Sequence, residues 1–204
     1  MRALQLSCVC LLLAYPFCAH FGAMRGHPEW GVVAIVAFVA VALRLAVSSW
    51  SRWALLLAPI AVAAWFFPAQ WILYAPPVLF NLTLATVFGA SLRAGAEPFI
   101  GRIARLERGE PLDRRLGAYT RRLTLVWTVF FVSMAIVSIA LAAAAPLRIW
   151  SYFANGLAYL LIGALFLGEW VYRRIRLNQY RHAPPWELVR IVARAGVTAR
   201  RESV

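Results

Sequence analysis

The sequence predicts an all-α polytopic membrane protein, with six transmembrane helices and a cytoplasmic amphipathic elbow between the fourth and the fifth. Three observations predict it. The 204-residue chain is 63% hydrophobic and 14% charged, whereas a soluble domain carries about a quarter charged residues. Its apolar residues gather into runs of crossing length, for which about 17–25 residues are needed. Its 21 basic residues, all arginine, avoid those runs and cluster between and after them. The formal charge of +13 therefore reads as membrane edge rather than as nucleic-acid binding.

The first apolar stretch, about 3–21, follows a single Arg2 and competes with a secretory signal peptide. Phe17-Cys18-Ala19 is a poor cleavage site and the next segment is itself membranous, so a retained first helix is expected. The second run, 30–47, is nearly uninterrupted until Arg44, whose long stem can carry its charge to the headgroups. The third, 53–67, is short and contains Pro59, which suits a kinked span or half of a re-entrant pair. The count is thus six spans, or five if that run does not cross. The fourth, 71–92, carries Pro76-Pro77, which removes two ladder donors and bends the helix. The fifth, 124–145, is free of charge, and the sixth, 149–171, contains Gly156, Gly163 and Gly168. Residues 1–171 read as one transmembrane domain and 172–204 as a basic tail.

Arginine placement orients this arrangement. With six spans, 19 of the 21 arginines fall on one side and only Arg25 and Arg148 on the other. The positive-inside rule then puts both termini and the 93–123 loop in the cytoplasm.

That loop is patterned. Pro98 suits a first helical turn, after which Phe99, Ile100, Ile103 and Leu106 fall on one face and Arg102, Arg105 and Arg108 on another, with Gly109 as terminator. A second start at Glu110-Pro111 sets Leu112, Leu116, Tyr119 and Leu123 at helical spacing, with Asp113 in the first turn. Arg114, Arg115, Arg121 and Arg122 take the polar sides, and the helix runs straight into the fifth span. The result is an amphipathic elbow lying along the headgroups.

The candidate substrate- or partner-binding residues are Arg93, Glu97, Arg102, Arg105, Arg108, Arg114, Arg115, Tyr119, Arg121, Arg122 and Glu169. Two readings stand for the arginines: recognition of an anionic head, or a basic loop resting on anionic phospholipid heads. Glu97, Glu107, Glu110 and Asp113, set among them, suggest local ion pairs that orient particular guanidinium forks. Glu169 either pairs with Arg173 four residues on or meets the elbow arginines. Inside the spans, Asn81, Thr83, Thr86 and Asn155 read either as interhelical hydrogen-bonding groups or as ligand contacts.

Cys8, Cys10 and Cys18 lack zinc-like spacing and a partner histidine, so no metal and no other cofactor is expected. The chain has no phosphate loop, dinucleotide fingerprint, serine elbow or His-Glu zinc motif. No acidic residue stands at the centre of a span, which argues against a proton-driven pump. These residues name no catalytic group, and whether the protein is an enzyme stays open.

One resemblance is specific. Phe88-Gly89-Ala90-Ser91-Leu92, Glu97-Pro98-Phe99-Ile100 with Arg102-Ile103-Ala104-Arg105, Tyr119-Thr120-Arg121-Arg122-Leu123-Thr124 with Trp127, and Leu167-Gly168-Glu169-Trp170 before Arg173-Arg174 are similar to a family of small bacterial inner-membrane proteins. The resemblance covers about residues 75–180. Members are often found beside fatty-acid-synthase-like genes for aryl polyene pigments such as xanthomonadin, and some are labelled ketosynthase. That label does not suit this chain. Its cysteines all lie in residues 8–18, and thiolase-like condensation needs a positioned cysteine with histidine partners.

The resemblance implies an accessory inner-membrane protein of aryl polyene or related lipid-like pigment biosynthesis. It would hold an anionic intermediate, an acyl carrier protein or a pigment-synthesis enzyme at the cytoplasmic face. The alternatives are a small transporter or flippase with a polar path past Asn81 and Asn155, and a membrane acyltransferase using Glu97 or Glu169 with Tyr119.

Overall fold

The computed structural model describes residues 2–46, 62, 66–108 and 112–176. The helices among them are α1 (Arg2–Arg25), α2 (Glu29–Ala46), α3 (Ala69–Ala90), α4 (Phe99–Arg108), α5 (Arg114–Ala144) and α6 (Leu147–Tyr152). A π-helix, Phe153–Leu157, carries α6 on into α7 (Ala158–Arg176).

Four stretches are long and apolar enough to cross a membrane: Leu6–Arg25, Ala69–Ala90, Arg114–Ala144 and Leu147–Ile175. The chain is a polytopic helical membrane protein, and the expectation of six transmembrane helices is corrected to four among the described residues. Two of the expected spans account for the difference. In α2 the apolar stretch among the described residues, Glu29–Ala42, falls short of crossing length: it rises about 21 Å against a hydrocarbon core of about 30 Å. The expected third span, 53–67, lies outside the described residues except for Val62, Phe66 and Phe67. So do the start at Glu110-Pro111 and most of the basic tail, 177–204.

The side chains agree with a lipid solvent. Leu12, Phe17, Leu79, Phe80, Val129, Ile136, Leu160 and Phe166 are all exposed, an apolar surface that hydrocarbon tolerates and water does not. At 31 residues α5 is longer than a crossing requires. About 20 residues suffice, so its arginine-bearing first turns can project beyond the hydrocarbon.

The chain gathers into two compact units, Met1–Phe80 with Met134–Ala164 and Asn81–Ser133 with Leu165–Val204. In the first, α1 packs on α2 and α6. Ala19, Leu73, Tyr74, Trp150 and Ala154 form its core, with the Tyr74 and Trp150 rings edge to face at 4.8 Å. The chain leaves α1 through Gly26, at φ +78°, and the His27 N–H returns to the Gly22 carbonyl at 2.8 Å. This is the glycine-dependent Schellman closure of a helix. Small residues then let α2 approach closely: a Cβ on Gly31 would stand 2.9 Å from the Ala19 Cα and 2.6 Å from Leu73 Cδ2. The fully buried Ser151 hydroxyl is satisfied by His20 Nδ1 of α1 and by the Asn155 amide, each at 3.1 Å.

In the second unit the turn after α3 places Gly95 at φ +78°, with the Ala96 N–H donating to the Arg93 carbonyl. That is the position of a tight turn that favours glycine. The amphipathic α4 is then docked by its first turn. Phe99 N–H donates to Ser91 Oγ at 2.8 Å, and Ile100 N–H to Thr124 Oγ1 at 3.3 Å. Two of the amides that a helix start leaves without partners are thereby satisfied by side chains of its neighbours. Arg102 and Arg105 face outward as the pattern predicts, while Leu106, expected on the apolar face, is 47% exposed.

Asp113 caps α5, its Oδ1 accepting the Leu116 N–H at 2.7 Å. The helix therefore begins at Arg114, with Asp113 as its cap rather than in its first turn, and it continues unbroken into the span, as expected. Its buried face is Leu116, Thr120, Thr124, Trp127 and Phe131. The threonines are affordable there because each hydroxyl donates to a carbonyl of its own helix, at 3.1 Å for Thr120 and 2.8 Å for Thr124. Aromatic contacts complete the unit: Phe88 with Phe99 and Phe131, and Trp127 with Phe166.

Two glycines separate packing from helix propensity. Gly31→Val, which pushes a Cβ into the α1 backbone, is expected to lower stability by about 1–3 kcal/mol. Gly163→Ala, where a Cβ meets nothing within 4 Å, should be neutral or stabilising. Thermal unfolding of both variants in nonionic detergent checks the contrast.

Candidate functional site

The site is built around a carboxylate. Glu169 stands near the charged end of α7, and its side chain is only 6% exposed. A charge withdrawn from water to that extent requires a counter-charge and hydrogen bonds. Arg173, one turn on, supplies the charge: its Nε lies 2.6 Å from Oε1 and its Nη2 2.6 Å from Oε2. Tyr119 of α5 donates its hydroxyl to Oε1 at 3.2 Å. The Tyr119 ring also stacks on Tyr172, at 5.6 Å between centroids and 5° between planes. Glu169 thus makes the expected i,i+4 pair and also reaches α5, through a tyrosine rather than through an elbow arginine.

Beside this clamp lies a cleft of about 600 Å³, within the size range of small-molecule sites. Arg115, Ala118, Tyr119, Arg122, Leu123 and Val126 line it from α5, and Leu165, Gly168, Glu169 and Tyr172 from α7. Arg115, Arg122 and Val126 recur at 0, 7 and 11, one stripe of a helix, while Leu165, Gly168 or Glu169, and Tyr172 recur at 0, 3 or 4, and 7 on the other wall. Arg115 and Tyr172 stand at the charged ends of the two helices. Val126 and Leu165 lie deeper into the spans. The cleft therefore grades from cationic to apolar along the helix direction.

The described arginines divide by use. Arg105 makes a bidentate pair with Glu97, at 2.8 and 3.0 Å. Arg121 Nη2 donates to the Leu92 carbonyl and ties down the exit of α3. Arg173 neutralises Glu169, and Arg174 lies over the Trp170 ring at 5.2 Å. Arg115 and Arg122 line the cleft without an ion pair to any described residue. Arg93, Arg102 and Arg114 are exposed, and the Arg108 side chain lies outside the described residues.

Two of the intramembrane polar residues are bonded within their own helices. Asn81 is buried at 7% exposure. Thr86 donates to the Thr83 carbonyl at 2.8 Å, and Asn155, within the π-helix, donates to Ser151 of its own helix. Among the described residues no three His, Cys, Asp or Glu side chains gather where they could hold a metal ion.

Arg115, Tyr119, Arg122 and Glu169, expected from the sequence, line the cleft; Ala118, Leu123, Val126, Leu165, Gly168 and Tyr172 were not expected there. A helical stripe through Glu169 contains Leu165 and Tyr172 three or four residues away, and that spacing was the available signal.

Glu97 gives the elbow a pH dependence of known sign. Its hydrogen bonds with Arg105 hold the carboxyl below the usual carboxylate range. A depressed folded-state value means that the stabilisation is present above the unfolded value, about 4.3 for a glutamate, and is lost as pH falls through the folded one. The protection factors of the α4 amides, which correct for the intrinsic pH dependence of exchange, should hold from neutral pH down to about that value and fall below it. Glu97→Gln should abolish the difference.

Models of known protein families, curated proteins and solved structures yield no match to the chain. Its function has to be read from its own residues, and the cleft between Arg115, Arg122 and Glu169 is where their chemistry converges.

Proposed function

We propose that this is an accessory protein of the bacterial inner membrane that serves the biosynthesis of an aryl polyene or related lipid-like pigment, and that it holds an anionic, membrane-bound intermediate at its basic face. The observation that carries the holding role is the cleft. Two guanidiniums with no described counter-ion stand at its charged end, and its depth is apolar. An amphiphile with an anionic head matches both ends in one orientation. The pathway rests on the resemblance of residues 75–180 to the polyene-associated family. Arginine placement supports both termini and the elbow in the cytoplasm, where an acidic carrier protein or synthesis enzyme would meet the elbow electrostatically.

The two alternatives find less support in the geometry. Glu169 is committed to Arg173 and Tyr119, which leaves it poorly placed as the base of an acyltransferase. Asn155, one of the two amides on a transport path, is bonded within its own helix.

Deleting the gene should cause carrier-bound precursors to accumulate and finished polyene to disappear from membrane extracts, as resolved by chromatography. Wild-type protein should restore the pigment. The double variant Arg115→Gln/Arg122→Gln, present in the membrane at normal abundance, should restore less than about a tenth of it, the loss expected from removing two charge-assisted contacts. Unchanged pigment in the deletion strain would overturn the pathway assignment, and full rescue by the double variant would overturn the cleft as the holding site.

A further inference from the structure

The charge inside the cleft specifies more than an anion. Among the described residues that line it, Glu169 is the only acid, and Arg173 together with the Tyr119 hydroxyl already occupies both of its oxygens. What remains for a guest is the pair Arg115 and Arg122, neither in an ion pair with a described residue. They lie seven residues apart on one helix, about 10.5 Å along its axis. Both line the same cleft, so a head seated between them is within reach of each long, flexible side chain.

A carboxylate presents two oxygens in one plane and a single negative charge. One guanidinium fork takes both oxygens and cancels that charge, so a second arginine on the remaining lone pairs brings an uncompensated positive charge. A phosphomonoester carries about −1.5 to −2 at neutral pH and three acceptor oxygens on different sides. It can take a fork from each arginine at once, and its charge cancels theirs. The cleft continues past Arg122 over Leu123, Val126 and Leu165, so whatever bears the phosphate has an apolar chain running toward the membrane interior. Gly168 leaves that channel open, since a Cβ there would meet nothing within 4 Å.

We infer that the cleft between Arg115, Arg122 and Glu169 binds the phosphomonoester head of a single-chain amphiphile, in preference to monoanionic heads of the same chain length. This rests on the reading of the cleft as the holding site and names the class of molecule held.

The probes are decyl phosphate, decyl sulfate, decanoate and inorganic phosphate, titrated against the full-length protein in nonionic maltoside micelles and followed by calorimetry. The expected result is that decyl phosphate binds at least about tenfold more tightly than decyl sulfate or decanoate, the ratio of one additional charge-assisted contact. Inorganic phosphate should bind far more weakly than decyl phosphate. Arg115→Gln and Arg122→Gln should each remove the preference and leave the sulfate affinity nearly unchanged. Gly168→Leu should weaken all three amphiphiles while keeping the wild-type thermal midpoint, which separates a blocked cleft from a misfolded chain.

Equal binding of phosphate, sulfate and carboxylate amphiphiles, all lost in Gly168→Leu, would overturn the phosphomonoester assignment and leave the holding role intact. Inorganic phosphate binding as tightly as decyl phosphate would overturn the amphiphile and point to a soluble phosphate source. Failure of every probe to bind would bring down both readings.

Discussion

A buried carboxylate near the end of a membrane helix has to be neutralised, and the arrangement of α5 against α7 follows from how Glu169 meets that constraint. Its own helix supplies the counter-charge through Arg173, and α5 supplies a hydroxyl through Tyr119. The tyrosine bond fixes the register of the two helices, because sliding one by a turn, about 5.4 Å, would leave the Oε1 bond unmade. Tyr172 stacked on Tyr119 reinforces the same register from the next turn. Once the acid is satisfied from within, the arginines beside it are not spent on it. The positive character of the cleft is thus a consequence of Glu169 being held by Arg173 rather than by Arg115 or Arg122.

The same demand shapes the elbow. In hydrocarbon, or at its margin, a helix start cannot leave its amides to water. Ser91 and Thr124 accept from the first two amides of α4, and the Thr124 hydroxyl in turn donates to the Thr120 carbonyl. One fully buried threonine therefore joins α4 to α5. Gly101 sits against Thr120, where a Cβ would approach its hydroxyl to 3.2 Å, so the close docking of the elbow depends on both the hydroxyl ladder and the absent side chain. In the first unit, Gly31 against Ala19 plays the corresponding part between α1 and α2. There the polar tie is Ser151 with His20 and Asn155.

Much of the local structure was legible because it depends on short-range rules. Pro98, Asp113 and the alternation of apolar residues with arginine place α4 and the start of α5, and the unbroken α5 follows from the absence of any stop signal between Tyr119 and Ala144. The six-helix count fails for a different reason. A run of apolar letters says that a segment avoids water, not that it crosses: the helix over the second run has 18 residues, opens on Glu29 and carries Arg44 near its end, against about 20 predominantly apolar residues for a span. Composition does not register that shortfall. The threonine face of α5 was illegible because Thr120 and Thr124 look polar, and their burial is possible only through bonds to carbonyls that any helix offers. Leu165, Gly168 and Tyr172 were missed because the stripe they form acquires meaning only from the α5 stripe opposite, a relation between helices that no single periodicity contains.

The hardest ambiguity in the sequence was whether its arginines mark a topology or a site. A loop that only needs to rest on acidic lipid has no reason to use one guanidinium differently from another, since surface attraction depends on charge and distance alone. The described arginines are not equivalent. Arg105 is latched to Glu97, Arg121 to a backbone carbonyl and Arg173 to Glu169. Arg93, Arg102 and Arg114 are exposed and suit the lipid-facing role. Arg115 and Arg122 are exposed as well, but they line a concave volume, with aromatic and aliphatic walls, beside an acid that is already neutralised. Surface attraction alone does not call for a hollow between two helices with its deep end apolar. The division of labour among chemically identical residues, rather than their number, is what favours a binding site over a membrane edge.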